Sequence, residues 1–579
     1  MNATIPIQHI NGEALNDEQR DYLQGYFAGL AARGIKFSDV EPAPAPAQKV
    51  SADDLIFEER VKRELHPLDA YPRLLENASA NKAPDKEDTF RFKWNGLFFL
   101  APAKDGFMAR LRIPGGVLKT FQLREVAQVA KDLTTGYVQI TTRANFQIRL
   151  IKPKDAPEVL RRIQSVGLHT RGAGADNIRN ITANPTAGLD PHELIDVLPL
   201  CQGLAQIIIN DRSFYDLPRK FNVAYDGGGL IGTVEDTNDI GARAVKVGEE
   251  VWFRLAVGGA TGHKAFARDL GVLVSPAELN KVVAALIRVY IANGNRGDRK
   301  RARLKHLLET WSLEKYLEET EKLLGYKLRR VTERGQPCPR EPESPTSADK
   351  AVRAPHSHIG VYPQKQAGLN YIGVALPVGQ ITPKQMLRVA EIADLYGSGE
   401  LRLTVWQNFI IPNVADAYVE TVKKSLHRIG LDTKQSFLRG GLVACTGNSY
   451  CKFAQSNTKG HALSLTEYLE KKVALDQPLN IHLTGCPNSC AQHYMGDIGL
   501  LGVKVRGEEG YHVFVGGGFG VNQAVGRQVF AGLPFEELKT TLEKMLKGYL
   551  RHRLPGETFQ TFTVRHDLNA LQAIFSNDE

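Results

Sequence analysis

Cysteine and long apolar runs are scarce in this sequence. Only 6 of the 579 residues are cysteines, which predicts a protein of a reducing compartment rather than one stabilised by disulfides. No segment approaches the roughly 20 apolar residues that a membrane-spanning helix requires. Residues 1–25 lack the basic start and apolar stretch of a secretion signal. Together these absences predict a cytoplasmic protein without a membrane segment.

Nucleotide-binding loops are absent as well. The sequence contains neither a Walker loop nor a G-x-G-x-x-G fingerprint. The run Gly516-Gly-Gly-Phe-Gly lacks that spacing and a confirming acidic residue, so it predicts a turn after a strand. We therefore expect the protein to bind no nicotinamide or flavin of its own. Electrons for any redox centre would have to come from a separate carrier.

The charge balance is moderately basic, with 73 lysine and arginine residues against 64 acidic ones and a net charge of +9. Such a balance fits nucleic acid, an acidic protein partner or anionic small molecules. No basic tract interleaved with aromatic residues and no nucleic-acid motif accompanies it. Nucleic acid is therefore the least favoured of these partners.

Four of the six cysteines lie within 46 consecutive positions, as the pairs Cys445-x5-Cys451 and Cys486-x3-Cys490. Paired thiolates of this kind usually surround one metal centre. Zinc sites prefer closer pairs, whereas iron–sulfur clusters tolerate wider and uneven spacings, so a cluster is favoured. A glycine before and a proline after Cys486 predict a tight turn into a helix that carries Cys486 and Cys490 on one face. Four buried structural cysteines, or a zinc-stapled binding protein without catalysis, are the alternatives.

An internal repeat runs through most of the chain. Residues 114–148 align without a gap on residues 377–411, and residues 239–259 match residues 497–517 in the same order. Each copy of the first match reads as strand, proline turn, amphipathic helix and strand, which is typical of an α+β sandwich. Chance similarity between short α/β pieces is the alternative, and two matches in the same order argue against it. Two related halves, residues 90–330 and 355–579, should therefore pack about a pseudo-twofold axis, with a large ligand at the seam between them.

The predicted fold is α+β, with two duplicated halves of mixed α/β sandwich domains. Residues 1–40 read as helical, a Pro/Ala-rich linker follows, and the charged stretch up to residue 85 is expected to wrap around the rest of the chain or to pack loosely on it. Cys201 is expected in a helix core and Cys338 in a second, proline-rich linker. The predicted divisions are an N-terminal segment (1–85), a first half-repeat (86–165), a larger first repeat (166–334), a linker (335–355), a second half-repeat (356–430) and a larger second repeat with the cysteine pairs (431–579).

Cationic residues of the first half stand beside glycine and proline turns. Arg110 and Arg112 alternate along one predicted strand and so share a face, and Lys220 and Asn222 do the same on another. The further candidates are Arg143, Arg179 and a predicted helical run, 295–305, with Arg299, Arg303 and Lys305. Any one of them is more often a solvated cation or a weak surface ion pair. A duplicated fold would turn the whole set toward the seam, where it could bind a polyanionic cofactor or a small oxyanion.

The cysteine pairs and the cationic motifs resemble those of the sirohaem and [4Fe–4S] nitrite and sulfite reductases. The resemblance rests on Ala444-Cys-Thr-Gly-Asn with Cys451, Thr484-Gly-Cys-Pro-Asn-Ser-Cys490, Arg110-x-Arg112-x-Pro-Gly-Gly, Thr141-Thr-Arg143 and Leu217-Pro-Arg-Lys220-Phe-Asn222. It covers about residues 90–579. Members of this family are duplicated halves around one sirohaem, which implies a sirohaem at the seam of this chain.

The resemblance also implies a role for each candidate residue. Cys445, Cys451, Cys486 and Cys490 would hold the cluster, and the Cys490 sulfur would also ligate the sirohaem iron. Arg112, Arg179, Arg299, Arg303 and Lys305 would bind the sirohaem carboxylates, with Asn488 beside the macrocycle. Arg110, Arg143, Lys220 and Asn222 would line the substrate side, hold the anion and supply protons.

Asn222 bears on the substrate, because sulfite-reducing relatives typically carry lysine there. Sulfite is largely a dianion and benefits from another cation, whereas beside the nitrite monoanion a further buried ammonium would be costly. The sequence therefore predicts an assimilatory nitrite reductase, a monomer that takes nitrite to ammonia with electrons from ferredoxin or a similar small acidic carrier. The alternatives are sulfite reduction on the same scaffold and tetrapyrrole oxygenation, as in related cobalamin-pathway proteins.

Two residues depart from the family pattern. Ala144 stands where many members have glutamine, which puts one supporting hydrogen bond in doubt. Ala183 stands where many have cysteine, so no thiol chemistry is expected there.

Overall fold

The computed structural model describes residues 9–10, 13–14, 55–101, 104–134, 136–331 and 358–576. The chain divides into two compact units, residues 1–49 and 50–579. In the first unit, strands β1 (His9–Ile10) and β2 (Glu13–Ala14) pair antiparallel. The helix predicted across residues 1–40 is therefore wrong at these positions, where an intervening Asn-Gly pair is a strong hairpin signal. The rest of that prediction, both predicted linkers and Cys338 lie outside the described residues.

The larger unit mixes helices and strands throughout its described length. Its helices are α1 (Phe57–Glu64), α2 (Tyr71–Ser79), α3 (Lys86–Arg91), α4 (Thr120–Leu133), α5 (Ala156–Ser165), α6 (Leu198–Asn210), α7 (Leu279–Asn293), α8 (Leu304–Thr310), α9 (Leu313–Leu324), α10 (Pro383–Tyr396), α11 (Val419–His427), α12 (Thr458–Glu470), α13 (Phe535–His552), α14 (Phe559–Arg565) and α15 (Leu568–Ser576). Over the ranges described, none of the helices combines the length and apolarity needed to cross a membrane.

Its strands are short and lie in four sheets. They are β3 (Leu97–Phe99), β4 (Phe107–Arg110), β5 (Val117–Lys119), β6 (Val138–Ile140), β7 (Phe146–Ile151), β8 (Thr182–Ala183), β9 (Val223–Asp226), β10 (Ile240–Val247), β11 (Glu250–Val257), β12 (Arg268–Val274), β13 (Arg329–Arg330), β14 (Gly360–Pro363), β15 (Leu369–Val374), β16 (Gln380–Ile381), β17 (Glu400–Leu403), β18 (Phe409–Ala415), β19 (Leu442–Ala444), β20 (Ile481–Thr484), β21 (Ile498–Val505), β22 (Glu508–Val515) and β23 (Arg527–Pro534).

Two of the sheets exchange a strand between the halves. Their strand orders are β3–β4–β7–β6–β16 and β14–β15–β18–β17–β5. Strand β16 of the second half pairs with β6 of the first, with Gln380 opposite Gln139. In return, β5 of the first half pairs with β17 of the second, with Leu118 opposite Leu401. The halves are therefore joined through their backbones and not only through side chains.

The other two sheets repeat one topology. Their orders are β8–β9–β10–β11–β12–β13 and β19–β20–β21–β22–β23. In each sheet the first three strands run parallel and the following strands pair antiparallel. Equivalent hydrogen bonds join the two copies in detail: the Ile240 N–H donates to the Asn222 carbonyl, and the Ile498 N–H donates to the Asn480 carbonyl, both at 3.1 Å. The predicted α+β class with duplicated halves is confirmed, while the domain boundaries stay a prediction.

Helices α4 and α10 pack together over the exchanged sheets and close a core that both halves share. A glutamine side chain caps the start of each helix. The Lys119 N–H donates to Gln122 at 2.9 Å, and the Thr382 N–H donates to Gln385 at 3.1 Å. Buried side chains of the shared core include Val126, Ile148, Val389 and Ile411. The sheets β8–β13 and β19–β23 each have a separate core. The shared core fixes the seam on which the candidate site is built.

Residues 55–85 pack closely against the rest of this unit, which corrects the loose packing predicted from their charge. Val61 and Leu74 are fully buried. The buried Lys62 ammonium donates to the Leu217 carbonyl at 3.1 Å and pairs with Glu59 at 2.5 Å. Glu59 and Lys62 are thus paired inside the fold rather than solvated, and composition alone does not distinguish those cases.

Candidate active site

Two cysteines follow neighbouring parallel strands. Cys445 comes directly after β19, and Cys486 follows β20 after one glycine. Because parallel strands end at the same sheet edge, the two loops meet there. The Gly485 N–H donates to Cys445 Sγ at 3.2 Å, and a Cβ on Gly485 would lie 2.6 Å from the Ala454 Cβ. Glycine at this position therefore lets the two cysteine loops approach each other.

Cys490 lies in a turn, so the helix predicted between Cys486 and Cys490 is wrong. The Ser489 N–H donates to the Cys486 carbonyl at 3.2 Å and closes the turn. Ser489 (φ +53°) and Gln492 (φ +57°) are left-handed, a conformation that a continuing α-helix does not admit. Pro487 is as favourable at the second position of a turn as at the start of a helix, so the sequence pattern does not distinguish the two structures. The exposed Cys490 faces the first half, since its carbonyl accepts a hydrogen bond from Thr142 Oγ1 at 2.9 Å.

The four paired cysteines act on one another electrostatically. Burial, together with the thiols of Cys490, Cys451 and Cys445, raises the pKa of Cys486 to about 11. Burial and Cys490 likewise raise the pKa of Cys445. All four are free thiols. Grouped thiols of this kind are suited to a positively charged partner that takes the place of their protons.

The donor set fits an iron–sulfur cluster better than a single ion. Among the described residues, no three histidine, cysteine or acidic side chains converge closely enough to hold one metal ion. Four sulfurs on one zinc, each about 2.3 Å from it, would lie within about 4 Å of one another. A cluster is larger and is held by four thiolates without histidine. Four thiols in two unevenly spaced pairs therefore match the ligand set of an iron–sulfur cluster.

Arginines of the first half, with Arg112 buried and Arg110 and Arg179 half-buried, lie at this seam and lack carboxylate partners in the described part of the chain. Arg110 donates to the Ala173 carbonyl at 3.2 Å. Arg179 donates to the Ala173 and Ala175 carbonyls at 2.6 and 2.8 Å, and its Nε has no partner. Arg112 is only 2% exposed, with Nε and Nη1 unpartnered. Guanidinium groups held by carbonyls alone leave a surplus of buried positive charge, which an anion would compensate.

Cys490 connects the thiols with these cations. Burial lowers the pKa of Arg110, and Cys490 opposes that shift. Burial and the nearby Arg303 lower the pKa of Lys220 to about 7, and Cys490 again acts in the opposite direction. A thiol of the second half therefore lies within electrostatic reach of two cations of the first, as the predicted seam site requires.

Arg143 is held by acceptors on three sides. Its guanidinium donates to Asn238 Oδ1, to the Asn180 carbonyl and, at 3.0 Å, to the Val223 carbonyl. Burial lowers its pKa to about 10, so it keeps its charge at neutral pH. The following Ala144 is left-handed (φ +48°) and offers no side-chain hydrogen bond. These contacts fix the position of the Arg143 charge.

The Gln407 side chain shows what Ala144 lacks. Gln407 occupies the corresponding position of the second repeat and is also left-handed (φ +63°). Its Nε2 donates to the Ala444 carbonyl, and its Oε1 accepts from the Ala444 N–H, both at 3.0 Å. Ala183 is buried in β8, where it brings no reactive group.

An ion pair behind Asn222 leaves its side chain available. The Asn222 N–H donates to Asp239 Oδ2 at 2.8 Å, and Arg303 binds both oxygens of Asp239 at 3.1 and 2.7 Å. The Asn222 side chain makes no hydrogen bond with the residues described. In the second half, the corresponding Asn480 side chain instead donates to Asp497 at 2.6 Å. Arg303 thus occupies the aspartate that would otherwise bind the asparagine.

Three predicted cofactor ligands already have acidic partners. Arg303 binds Asp239 as described, and Arg299 binds both oxygens of Asp176 at 2.7 Å. Lys305 pairs with Glu309 at 3.2 Å. A cofactor carboxylate would have to share these groups. Asn488 is exposed, and a Cβ on Gly262 would lie 3.2 Å from its carbonyl oxygen.

The helical run predicted over residues 295–305 is wrong. A short 3-10 turn covers Arg299–Arg301, and α8 begins only at Leu304. Asn295 Oδ1 accepts hydrogen bonds from the N–H groups of Gly297 and Asp298, both at 2.9 Å. Such a side-chain turn competes with the helix for the same N–H groups.

Sequence reasoning missed two buried cations beside the first cysteine loop. Lys459 is 6% exposed and donates to the Ala444 carbonyl at 3.3 Å. Arg149 is 4% exposed and donates to Thr446 Oγ1 at 2.5 Å. One signal could have found Lys459: it stands in the first turn of a helix, where the helix dipole disfavours a cation. Arg149 lies within strand β7 and gives no such signal.

Two family models match the chain, each once in either half. The model of the nitrite and sulphite reductase 4Fe-4S domain matches residues 174–328 and 439–569. The model of the nitrite/sulfite reductase ferredoxin-like half domain matches residues 101–166 and 362–429. This chain belongs to the nitrite and sulfite reductase family. The resemblance stated from the motifs is therefore confirmed.

Relatives of this nitrite and sulfite reductase family member cover most of its length. The ferredoxin–nitrite reductase of Synechococcus elongatus is 36% identical over 469 residues, which are 79% of this chain and 88% of the relative. The chloroplastic ferredoxin–nitrite reductase of Spinacia oleracea is 35% identical over 489 residues, or 82% and 80% of the two chains. The solved structure of Mycobacterium tuberculosis NirA superposes with a TM-score of 0.80 at 29% identity, covering 89% of this chain and 97% of that one.

Replacing Cys486 with serine should abolish cluster assembly, because one of four thiolate ligands is lost. Cys201→Ser is the matched control: Cys201 lies in α6, and the serine hydroxyl can replace its 3.4 Å hydrogen bond to the Ile181 carbonyl. Iron and acid-labile sulfide, measured on the purified variants, should fall to background for Cys486→Ser only. Equal iron in both variants would contradict the ligand assignment.

The corresponding aspartates Asp239 and Asp497 should respond in opposite ways to replacement by asparagine. Asp239→Asn leaves Arg303 buried and unpaired, which should cost about 3–5 kcal/mol. Burial raises the pKa of Asp497 to about 7, above its ordinary value of 3.8. Its ionised form therefore destabilises the fold above pH 7, and this cost disappears as the pH falls toward 4. Asp497→Asn should stabilise the protein at pH 8 and progressively less at pH 6 and 5.

Urea unfolding of both variants at these pH values measures the difference. A destabilising Asp497→Asn at pH 8, or an Asp239→Asn as stable as the unsubstituted protein, would contradict the assignment of the ion pair to one half only.

Proposed function

We propose that this chain reduces nitrite to ammonia at a sirohaem coupled to a [4Fe–4S] cluster, with electrons from ferredoxin or a similar small acidic carrier. One observation carries the proposal: Cys490 belongs to the thiol group of the second half, and its carbonyl accepts a hydrogen bond at 2.9 Å from Thr142 Oγ1, next to Arg143 of the first half. Relatives named as ferredoxin–nitrite reductases, at 36% and 35% identity, support it.

The residues present fit both cofactors. Cys445, Cys451, Cys486 and Cys490 would hold the cluster. The unpartnered nitrogens of Arg112 and Arg179 are the groups best placed to bind sirohaem carboxylates, with Arg299, Arg303, Lys305 and Asn488 around them. Once bound, the sirohaem supplies the redox chemistry at its iron, and the cluster supplies electrons to it.

The work of the protein itself is to hold the anion and to supply protons. Arg110 uses one nitrogen for the Ala173 carbonyl and keeps the rest of its guanidinium available. Arg143 is fixed by Asn238 and two carbonyls, so its charge stays in one position. Burial lowers the pKa of Lys220 to about 7, so its ammonium can release a proton near neutral pH. Fixed donors of this kind stabilise negative charge as it develops on a bound anion.

Asn222 favours nitrite over sulfite. The neighbouring Lys220 already stands among Arg303, Arg179 and Arg219, whose charges lower its pKa. A lysine at position 222 would add one more buried charge, which only a second negative charge on the substrate would offset. Nitrite carries a single negative charge and needs no such partner. Sulfite reduction is therefore the second candidate rather than the first.

The proposed electron donor is a small acidic carrier protein. A net charge of +9 favours association with an acidic surface, and the relatives are named for ferredoxin. The five described cysteines are free thiols, which supports the proposed cytoplasmic location. The monomeric state stays a prediction.

The purified holoenzyme, made in a host that synthesises sirohaem, should convert nitrite to an equal amount of ammonia with reduced ferredoxin. Because docking is electrostatic, raising the ionic strength should raise KM for ferredoxin several-fold and leave KM for nitrite with reduced methyl viologen nearly unchanged. Ammonia is measured by coupled assay. A cofactor-loaded protein that forms no ammonia from nitrite with methyl viologen would refute the proposed function.

Asn222→Lys should raise the ratio of sulfite to nitrite kcat/KM by about tenfold, equivalent to about 1.4 kcal/mol for one added charge. Asn222→Gln keeps a neutral amide and should leave that ratio near its original value. Both variants are assayed with both anions and one artificial donor. An unchanged ratio in a fully loaded Asn222→Lys enzyme would remove this position from the account of specificity.

A further inference from the structure

Arg149 and Lys459 are buried cations that no carboxylate neutralises in the described part of the chain. Lys459 is 6% exposed, and its Nζ donates to the Ala444 carbonyl at 3.3 Å. Arg149 is 4% exposed, and its guanidinium donates to Thr446 Oγ1 at 2.5 Å and otherwise to glutamine oxygens. Their known partners are therefore neutral acceptors.

The two cations contact the chain on either side of Cys445. Ala444 precedes that cysteine and Thr446 follows it. Cys445 opposes the lowering of the Lys459 pKa, and a charge on Cys451 does the same for Arg149. Both positive groups therefore lie within electrostatic reach of cysteines that we assign to the cluster.

Burial makes these charges costly in the absence of an anion. An uncompensated buried ion costs several kcal/mol, and burial with the nearby Arg149 lowers the pKa of Lys459 to about 7. Four thiolates around a cluster carry net negative charge, and reduction adds one more. The reduction potential of such a cluster depends on the charge and hydrogen bonding around it. Fixed positive charge nearby favours the reduced form.

A purely structural role for Lys459 does not explain why the residue is charged. Its Nζ also donates to the carbonyl of Val378, a β-branched residue held at φ +49°, which is an unfavourable conformation. Lysine does stabilise this turn, but a neutral donor could serve the same purpose. A cation in the first turn of α12 is further opposed by the helix dipole. A positive charge that is retained despite its burial and despite the helix dipole indicates a negatively charged partner.

We propose that Arg149 and Lys459 are positioning residues for electron entry, whose positive charges raise the reduction potential of the cluster held by Cys445, Cys451, Cys486 and Cys490. The inference rests on the proposed function. In the step concerned, one electron passes from the acidic carrier to the cluster, so the carrier is oxidised, the cluster is reduced and no bond changes. Neither residue takes part in holding the substrate.

The test is a dye-mediated redox titration of the holoenzyme, with the cluster followed by electron paramagnetic resonance. Lys459→Met removes the charge and the donor, Lys459→Gln removes the charge and keeps a donor, and Lys459→Arg keeps the charge. Arg149→Gln and Arg149→Lys give the same comparison at the second residue. Lys471→Met is the control for net charge, since Lys471 lies just beyond α12 with its side chain 70% exposed.

We expect the midpoint potential to become more negative in Lys459→Met, Lys459→Gln and Arg149→Gln. It should stay near the original value in Lys459→Arg, Arg149→Lys and Lys471→Met. Unchanged potentials in iron-loaded Lys459→Gln and Arg149→Gln would overturn the inference. If Lys459→Met assembles no cluster, the Arg149 pair decides in its place. An unsubstituted protein without any iron–sulfur signal would refute the proposed function instead, so the two failures differ.

Discussion

The candidate site depends on what the two halves bring to their shared seam, cations from the first and thiols from the second. One half holds Arg112 and Arg179 with buried nitrogens that have no acceptor among the described residues, and the other gathers four thiols, of which Cys445 and Cys486 have raised pKa values. Each arrangement is unfavourable by itself. Facing one another across the seam, they form the site at which we propose that an anionic cofactor and a cluster bind. The exchange of β5 and β16 joins the two halves.

The duplicated halves have corresponding positions, but the cations occur in the first copy and the cysteine pairs in the second. The halves correspond residue by residue: Arg112 forms an isolated antiparallel backbone β-bridge with His169, and Ala375 forms the equivalent bridge with Asp432. The first match, extended upstream, pairs Arg110 with Gly373 and Arg143 with Trp406. The second match, extended upstream, pairs Lys220 with Pro478, Gly228 with Cys486 and Gly232 with Cys490. The Trp406 ring is buried and packs on Phe519 at 5.1 Å. The apolar Trp406 thus stands where the first half has Arg143, so the cations of the seam come from the first half.

The sequence was sufficient for features whose signal is local or repeated. Cysteine spacing and the ungapped repeat lie in the order of residues and need no knowledge of contacts, so the thiol group, the duplication and the fold class could be predicted. The failures share another cause. The turn at Cys486–Cys490 depends on the left-handed Ser489, and the pairing of Arg303 depends on Asp239, 64 residues away. Lys459 carries only the weak sequence signal of a cation in the first turn of a helix, and its contact with the Ala444 carbonyl is not visible in the order of residues.

The comparison of Asn222 with Asn480 shows how one distant residue sets the role of another. Both asparagines donate a backbone N–H to an aspartate, at 2.8 and 2.9 Å. Among the described residues of the second half no arginine pairs with that carboxylate, and the Asn480 side chain donates to it at 2.6 Å. In the first half Arg303 binds both oxygens of Asp239, and the Asn222 side chain makes no hydrogen bond with that carboxylate. The substrate preference that we propose for position 222 therefore depends on the Arg303–Asp239 pair as well as on Asn222, because that pair keeps the aspartate engaged.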